Sequence, residues 1–330
     1  MPKNILFIID DLELKYFEFN DLITDFWLIK EFLKRDNNVS IAIKSDLFIE
    51  KAQGCVFSRT SYLKNENIFY NKETTKHIIN DFDVVFFRSD PPVDINYINA
   101  CYVFDYVNRS KTMLINDPSE IRNFNEKFHI NYFPEFTPEN IVTSNSNFIT
   151  RFVEKHKEAI LKPLNKCFGS EVYYLNYEDK NLLTIIKNMT EDDKRAVMVQ
   201  EYLNEAKFGD KRVLIIGDKV MEECIQKLPA EHNFKFAEHS DQYFRKTLLT
   251  DNERKMAESI ARKLSKIGLY LVGIDVINEK AIEINVTSPC YFIREINKNY
   301  GICFENTIMA HLETLIENYF ERIKPYAFNK

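Results

Sequence analysis

Glycine is scarce, with seven in 330 residues, so a loop that must wrap its backbone around phosphate has little of the residue that permits close approach. The six cysteines (Cys55, Cys101, Cys167, Cys224, Cys290, Cys303) are scattered and include no C-x-x-C pair, which removes the commonest zinc and redox motifs and points to a reduced protein. Positive charge is not in excess. Lys plus Arg number 44 against 50 Asp plus Glu, a net charge of −6, which argues against nucleic acid as a partner. No apolar run approaches the ~20 residues of a membrane-spanning helix; the longest are pieces such as ILFII and VLIIG. The start MPKNILFIIDDLELK is too short and too acidic for a signal peptide. The expectation is a soluble, cytoplasmic protein without membrane or nucleic-acid partners.

With 45% hydrophobic residues over this length, the chain has enough apolar material for two or three lobes around one cleft. The first ~120 residues read as an α/β lobe with a parallel sheet. Its strands are NILFII, NVSIAIK, DVVFFR and TMLIND; its helices are DFWLIKEFLKRD, INYINACYVFDYVNR and PSEIRNFNEKFHINYF, the last beginning at Pro118. Residues 52–75 have weak periodicity and read as loop with strands whose bounds the pattern does not fix. Beyond FPEFTPENIVTS the pattern becomes α+β with short antiparallel strands, namely EAILKP, EVYYLN, AVMVQEYL and a hairpin KRVLII, GDK, VMEECIQKL. An amphipathic helix over 251–267 leads into LYLVGIDVI and AIEINV, joined by the turn NEK, and FENTIMAHLETLIENYFERI closes the chain as a helix. No internal repeat is present.

Asp275 in GID precedes Glu283 and Asn285 in EIN. The latter two lie two residues apart, so on a strand both point the same way, and a hairpin can bring all three onto one face. Hard oxygen donors there suit Mg²⁺; taken alone, the same pattern is more often the polar side of a solvated hairpin. Lys162 ends the strand AILKP and Lys127 sits in the helix containing NEKFH. Each is either a point charge for phosphate oxygens or an ordinary surface lysine. At Gln200, Glu201, Tyr202 and Leu203 an apolar strand meets a short connection whose backbone groups suit adenine, and Asp210 and Arg212 open the next strand; Asp210 suits a ribose. No Ser/His/Asp or Cys/His set stands out. Cys167 and Cys290 lie near loops of interest, but the sequence shows no charged surroundings of the kind that activate a thiolate, and His232 and His239 lack companions for a zinc site.

The segments VVFFRSDPPVD, INDPSEIRNFNEK, AILKPL, VQEYL, FGDKRVLIIG, VGIDVI, EINVTSP and IREI, in this order and spacing, resemble bacterial glutathione synthetase over nearly the whole chain. The resemblance implies an ATP-grasp fold preceded by a parallel-sheet lobe, divided as 1–122, 123–200 and 201–330. It implies that Lys127 and Lys162 contact ATP phosphates, that Gln200 and the connection Glu201, Tyr202 and Leu203 hold adenine, and that Asp210 sits near ribose or base. Arg212 would face the phosphates and act in catalysis with Lys227. Asp275, Glu283 and Asn285 would bind Mg²⁺, with Mn²⁺ as a substitute. Arg88 would bind a substrate carboxylate, with Lys235, Ser288 and Arg294 also on the substrate side. The implied reaction phosphorylates the carboxylate of γ-glutamylcysteine with ATP; glycine then attacks the acyl phosphate. A homo-oligomer is implied as well. The alternatives are a related ligase with another dipeptide or amine, or an impaired nucleotide-binding relative.

The chain departs from the family pattern where glycine would be expected. LKPLNKCFGSEVYYL has only Gly169 after the LKP lysine, and AEHNFKFAEHSDQYFRK has no glycine hinge. Lys227 and Lys235 stand near positions where the family has arginine, and a lysine does not reproduce a two-pronged guanidinium contact. SPCYFIREI is one residue longer than the family segment before IREI, which bears on Arg294.

Overall fold

The structure is a computed structural model that describes residues 2–166, 171–230, 233–236 and 243–327. Three sheets carry the architecture. The first follows the order Leu47–Glu50, Gln53–Lys64, Asn38–Ile43, Asn4–Ile9, Val84–Phe87, Met113–Ile115. The last four strands in this order are mutually parallel. Asn4–Ile9 is buried on both faces from Ile5 onward, as a central parallel strand requires, and Phe7 stacks on Phe86 of its neighbour with ring centroids 4.5 Å apart.

Residues 52–75 hold more strand than the loop reading expects. They hold the twelve-residue strand Gln53–Lys64, which pairs antiparallel with Leu47–Glu50, Asn67–Tyr70 and Thr75–Ile78. Its polar Ser58, Arg59, Thr60 and Ser61 hide the alternation that normally announces a strand.

The helix that opens with Asp117 as cap and Pro118 at its first position ends at Asn123, so Lys127 lies outside it, contrary to the expectation that helix would continue through NEKFH. Asn125 is the cause. Its Oδ1 accepts from Lys127 N at 3.1 Å and Phe128 N at 2.9 Å, a side-chain turn that competes with helix continuation.

A four-stranded antiparallel sheet, in the order Tyr173–Asn176, Glu158–Pro163, Val197–Glu201, Asn140–Thr143, packs on helices Ser146–His156 and Leu182–Thr190 around Phe152, Leu161, Ile186 and Val199. The third sheet is antiparallel, in the order Phe244–Thr247, Cys224–Lys227, Asp210–Ile216, Leu271–Ile277, Lys280–Asn285. One face rests on helix Asp251–Ser265 through Val213, Ile215, Val272 and Ile274. Leu214, Ile216 and Leu271 on the other face join Phe304, Ile308 and Leu312 of helix Phe304–Ala327. A capping box of Thr250 and Glu253 starts helix Asp251–Ser265.

Buried Asn116 ties the first sheet to the third. Its Nδ2 donates to Leu271 O at 2.8 Å and Val286 O at 2.6 Å, and its Oδ1 accepts from Tyr270 N and Leu271 N at 2.6 and 2.7 Å.

Candidate active site

Strand register builds the centre of the site. Asp210 lies opposite Lys227, Arg212 opposite Asp275, and Asp275 opposite Glu283 with Gly273 opposite Asn285. Because alternate residues share a face, these side chains collect on one surface of the third sheet. Arg212 donates from Nε to Asp275 Oδ1 at 2.8 Å and from Nη2 to Oδ2 at 3.2 Å. Lys227 Nζ lies 3.0 Å from Asp275 Oδ1 and 2.6 Å from Asp210 Oδ2. All four are buried, so their mutual pairing is what makes their charges tolerable.

Burial pushes the Asp275 carboxyl up, but the charges of and bonds from Arg212 and Lys227 outweigh it and hold the group well below the carboxylate range. Burial carries Asp210 up to about 7 despite Lys227. Asp210 thus has Lys227 as its immediate partner, and at 1% exposure its surroundings are charged side chains.

Two glycines make room. Gly209 has φ +88°, and a Cβ there would lie 1.8 Å from Lys227 O. A Cβ on Gly273 would press on Arg212 Cδ and Nη1, each at 3.1 Å.

Lys127 and Lys162 reach the same place from different segments. Lys162 Nζ donates to Gln200 Oε1 at 2.9 Å and Ile282 O at 3.2 Å, linking the four-stranded sheet to the third. Burial brings its ammonium down to about 8, with Glu283 opposing that shift and Lys127 adding to it. Lys127 Nζ donates to Glu283 Oε1 at 2.8 Å and Lys166 O at 2.7 Å. Gln200 is buried; Glu201 Oε1 accepts from Glu139 N at 2.9 Å; Tyr202 meets Tyr174 edge to face; and Leu203 precedes the short helical turn Asn204–Phe208.

Asp275, Glu283 and Asn285 fit a small divalent cation, since all three offer oxygen. Asn285 turns its Nδ2 to Asp275 Oδ2 and Gly273 O, both at 3.2 Å, leaving Oδ1 for a cation. Lysine and arginine hold the carboxylates in the meantime.

Among the residues expected on the substrate side, Arg88 donates from Nε to Asp25 Oδ1 at 2.5 Å and from Nη2 to Pro289 O at 3.1 Å. Arg212 Nη1 donates to the next carbonyl, Cys290 O, at 3.1 Å, so adjacent peptide groups connect the two arginines. Ser288 Oγ bonds to Asp90. Arg294 is directed to Asp21 and Glu295, at 3.6 and 2.9 Å, rather than to Arg88's partners. Lys235 belongs to the strand Asn233–Phe236, and its side chain lies outside the described residues, as do Cys167, Gly169, His232 and His239. Burial raises the Cys290 thiol, which disfavours a thiolate nucleophile there.

Residues 4–122 match the family model for the N-terminal domain of prokaryotic glutathione synthetase, and residues 126–301 match that for its ATP-grasp domain. The chain belongs to the prokaryotic glutathione synthetase family. Glutathione synthetase of Photorhabdus laumondii is 33% identical over 299 residues, covering 89% of this chain and 94% of the relative. That of Nostoc sp. is 37% identical over 252 residues, covering 76% and 75%. The D-cycloserine synthetase DcsG superposes with a TM-score of 0.66 at 12% identity over 96% of this chain and 99% of that one. The ATP-grasp ligase PsnB, complexed with minimal precursor, Mg and ADP, gives 0.57 at 16% identity over 94% and 98%. The fold is ATP-grasp.

Three site residues of this glutathione synthetase family member escape sequence reasoning. Glu126 Oε1 accepts from Val286 N, Thr287 N and Thr287 Oγ1 at 2.7, 2.9 and 2.9 Å, fixing the end of the EIN strand. Asn116 binds the same strand end through Val286 O. Phe292, left-handed at φ 49° and ψ 41°, lies in the SPCYFIREI segment and sets its ring 5.3 Å from the Arg212 guanidinium and 6.0 Å from Lys227 Nζ. The departure expected around SPCYFIREI was the available signal for Phe292; Glu126 and Asn116 depend on contacts 154 to 170 positions away.

Proposed function

We propose that the chain is an ATP-dependent ligase that joins γ-glutamylcysteine to glycine, through an acyl phosphate, to give glutathione, ADP and phosphate. The observation that carries this reading is the row Arg212, Asp275, Glu283 across three strands, met by Lys127 at Glu283 and by Lys162 beside it. Cations and oxygen donors alternate there as a metal–nucleotide requires. Family membership supports the same substrates.

In this reading Lys127 and Lys162 hold phosphate oxygens, and the Glu201, Tyr202 and Leu203 connection holds the base with Gln200 behind it. Asp210 keeps Lys227 in place at the ribose side. Asp275, Glu283 and Asn285 hold Mg²⁺, for which Mn²⁺ can substitute. When bound, the ion neutralises phosphate charge and polarises the transferred group. Arg212 and Lys227 stabilise charge on the phosphoryl group as it moves to the acyl carboxylate. Arg88 and Ser288 position that acyl substrate, and the family resemblance assigns Arg294 and Lys235 to the substrate side as well. No protein nucleophile is needed, because the phosphorylated carboxylate already carries a leaving group. A cytoplasmic homo-oligomer completes the reading.

Oxygen-18 in the cysteinyl carboxylate of γ-glutamylcysteine tests the route. One labelled oxygen is expected in the released phosphate when glutathione forms. Glutathione with unlabelled phosphate would rule out the acyl phosphate.

A further inference from the structure

At the C-terminal ends of the first sheet's parallel strands, where ligands of open α/β sheets gather, four carboxyl groups surround Arg88. Asp10 follows strand Asn4–Ile9, Glu13 lies in helix Asp11–Lys15, Asp25 in helix Thr24–Lys34, and Asp90 follows strand Val84–Phe87. They form one set. Asp90 N donates to Asp10 Oδ2 at 2.7 Å, Asp25 holds Arg88, and Glu13 feels the charges of Asp25, Asp90, Asp10 and Arg88. Among the described residues Lys44, 2.7 Å from Asp10 Oδ1, joins Arg88 in opposing them, so the four acids outnumber the cations paired with them there.

Three buried polar atoms here have no hydrogen-bond partner among the described residues: Arg88 Nη1, Glu13 Oε2 and Ser89 Oγ. Arg88 is 3% exposed and Ser89 fully buried. A buried donor and a buried carboxyl oxygen without partners, in the same cluster of charges, call for a ligand that brings both charges.

We propose that Glu13, with Asp90, receives the α-ammonium group of the acyl substrate while Arg88 Nη1 takes the carboxylate on the same carbon. The inference rests on the γ-glutamyl substrate proposed above, whose far end is a free α-amino acid. A plain carboxylate would meet one arginine already engaged by Asp25 and Pro289 amid surplus negative charge. The zwitterionic end satisfies both unpartnered groups. Burial, then repulsion from Asp25, Asp90 and Asp10, pushes the Glu13 carboxyl up to about 9; an incoming ammonium replaces the proton held there.

Ligand-observed NMR and calorimetry on the full chain, with Mg²⁺ and a non-hydrolysable ATP analogue present, test this. γ-Glutamylcysteine is compared with glutarylcysteine, which lacks only the amino group, and glutamine with glutaramic acid. The amino compounds should bind about 10- to 100-fold tighter, the effect of a charge-assisted hydrogen bond. Glu13→Gln, with an unchanged Tm, should reduce that ratio to a few-fold, and Asp90→Asn should reduce it less. If the cysteinyl pair binds equally, or the ratio survives both substitutions, the receptor is overturned and the substrate reading stands. If neither cysteinyl compound binds while glutamine outcompetes glutaramic acid, the receptor stands and the substrate reading falls. Binding of neither pair overturns the receptor.

Discussion

Lys127 and Glu283, 156 residues apart in sequence, form an ion pair at 2.8 Å. The cation assigned to phosphate therefore holds the carboxylate assigned to metal, and Asp275 is held likewise by Arg212 and Lys227. A metal–nucleotide bound as proposed would bring a matched substitute for each side of these pairs, anion for the lysines and cation for the carboxylates, so that binding would exchange one balanced set of charges for another.

Glu283→Gln keeps the shape and removes the charge. Turnover should fall about 100-fold or more, as loss of metal organisation typically does, while circular dichroism and Tm stay close to wild type because Glu283 is only half-buried. Steady-state kinetics across a Mg²⁺ titration measure it. Unchanged turnover would move the metal site elsewhere.

Lys162 titrates near 8 because burial disfavours its charge. A lysine lowered in the fold binds fewer protons than in the unfolded chain between about 8 and its ordinary value of 10.5, so its burden on stability is fully present below about 8 and is relieved as pH rises through that window. Nucleotide binding has the opposite need, a charged lysine. Binding of an ATP analogue at pH 9 should therefore take up a fraction of a proton, seen as a buffer-dependent calorimetric enthalpy. Lys162→Arg should remove that uptake.

Asn116→Ala strips four hydrogen bonds between the first and third sheets and leaves buried peptide groups unsatisfied. The expected loss is about 2–4 kcal/mol in urea unfolding, with no change in slope. A loss below about 1 kcal/mol would mean that water or relaxation replaces the clamp.

Gly209→Ala should cost at least ~2 kcal/mol, because the left-handed backbone is unfavourable for alanine and its Cβ would overlap Lys227 O. KM for ATP should rise along with the loss of stability, since Lys227 moves. Thermal melts and initial rates measure both.

The parts of this site that could be read from sequence are those set by local periodicity. GID, the NEK turn and EIN announce a hairpin with its acids on one face, and the observed register of Asp275 against Glu283 follows. The amphipathic pattern over 251–267 announces the helix found at Asp251–Ser265. The end of the helix at Asn123 was not legible, because it is decided by the Asn125 side chain capturing two backbone N–H groups against a continuing helical pattern. Nor was the full length of the strand Gln53–Lys64, which pairs with four other strands and whose polar residues break alternation. Asp25 on Arg88 is a tertiary pairing that no local pattern encodes, and it changes what Arg88 can accept.

The most direct test of the account is ADP release with γ-glutamylcysteine and glycine, each omitted in turn. ADP formation that requires both substrates and Mg²⁺, and ends with stoichiometric glutathione, is the predicted result. Folded protein that binds the nucleotide yet releases no ADP with any acyl and amine pair would contradict it.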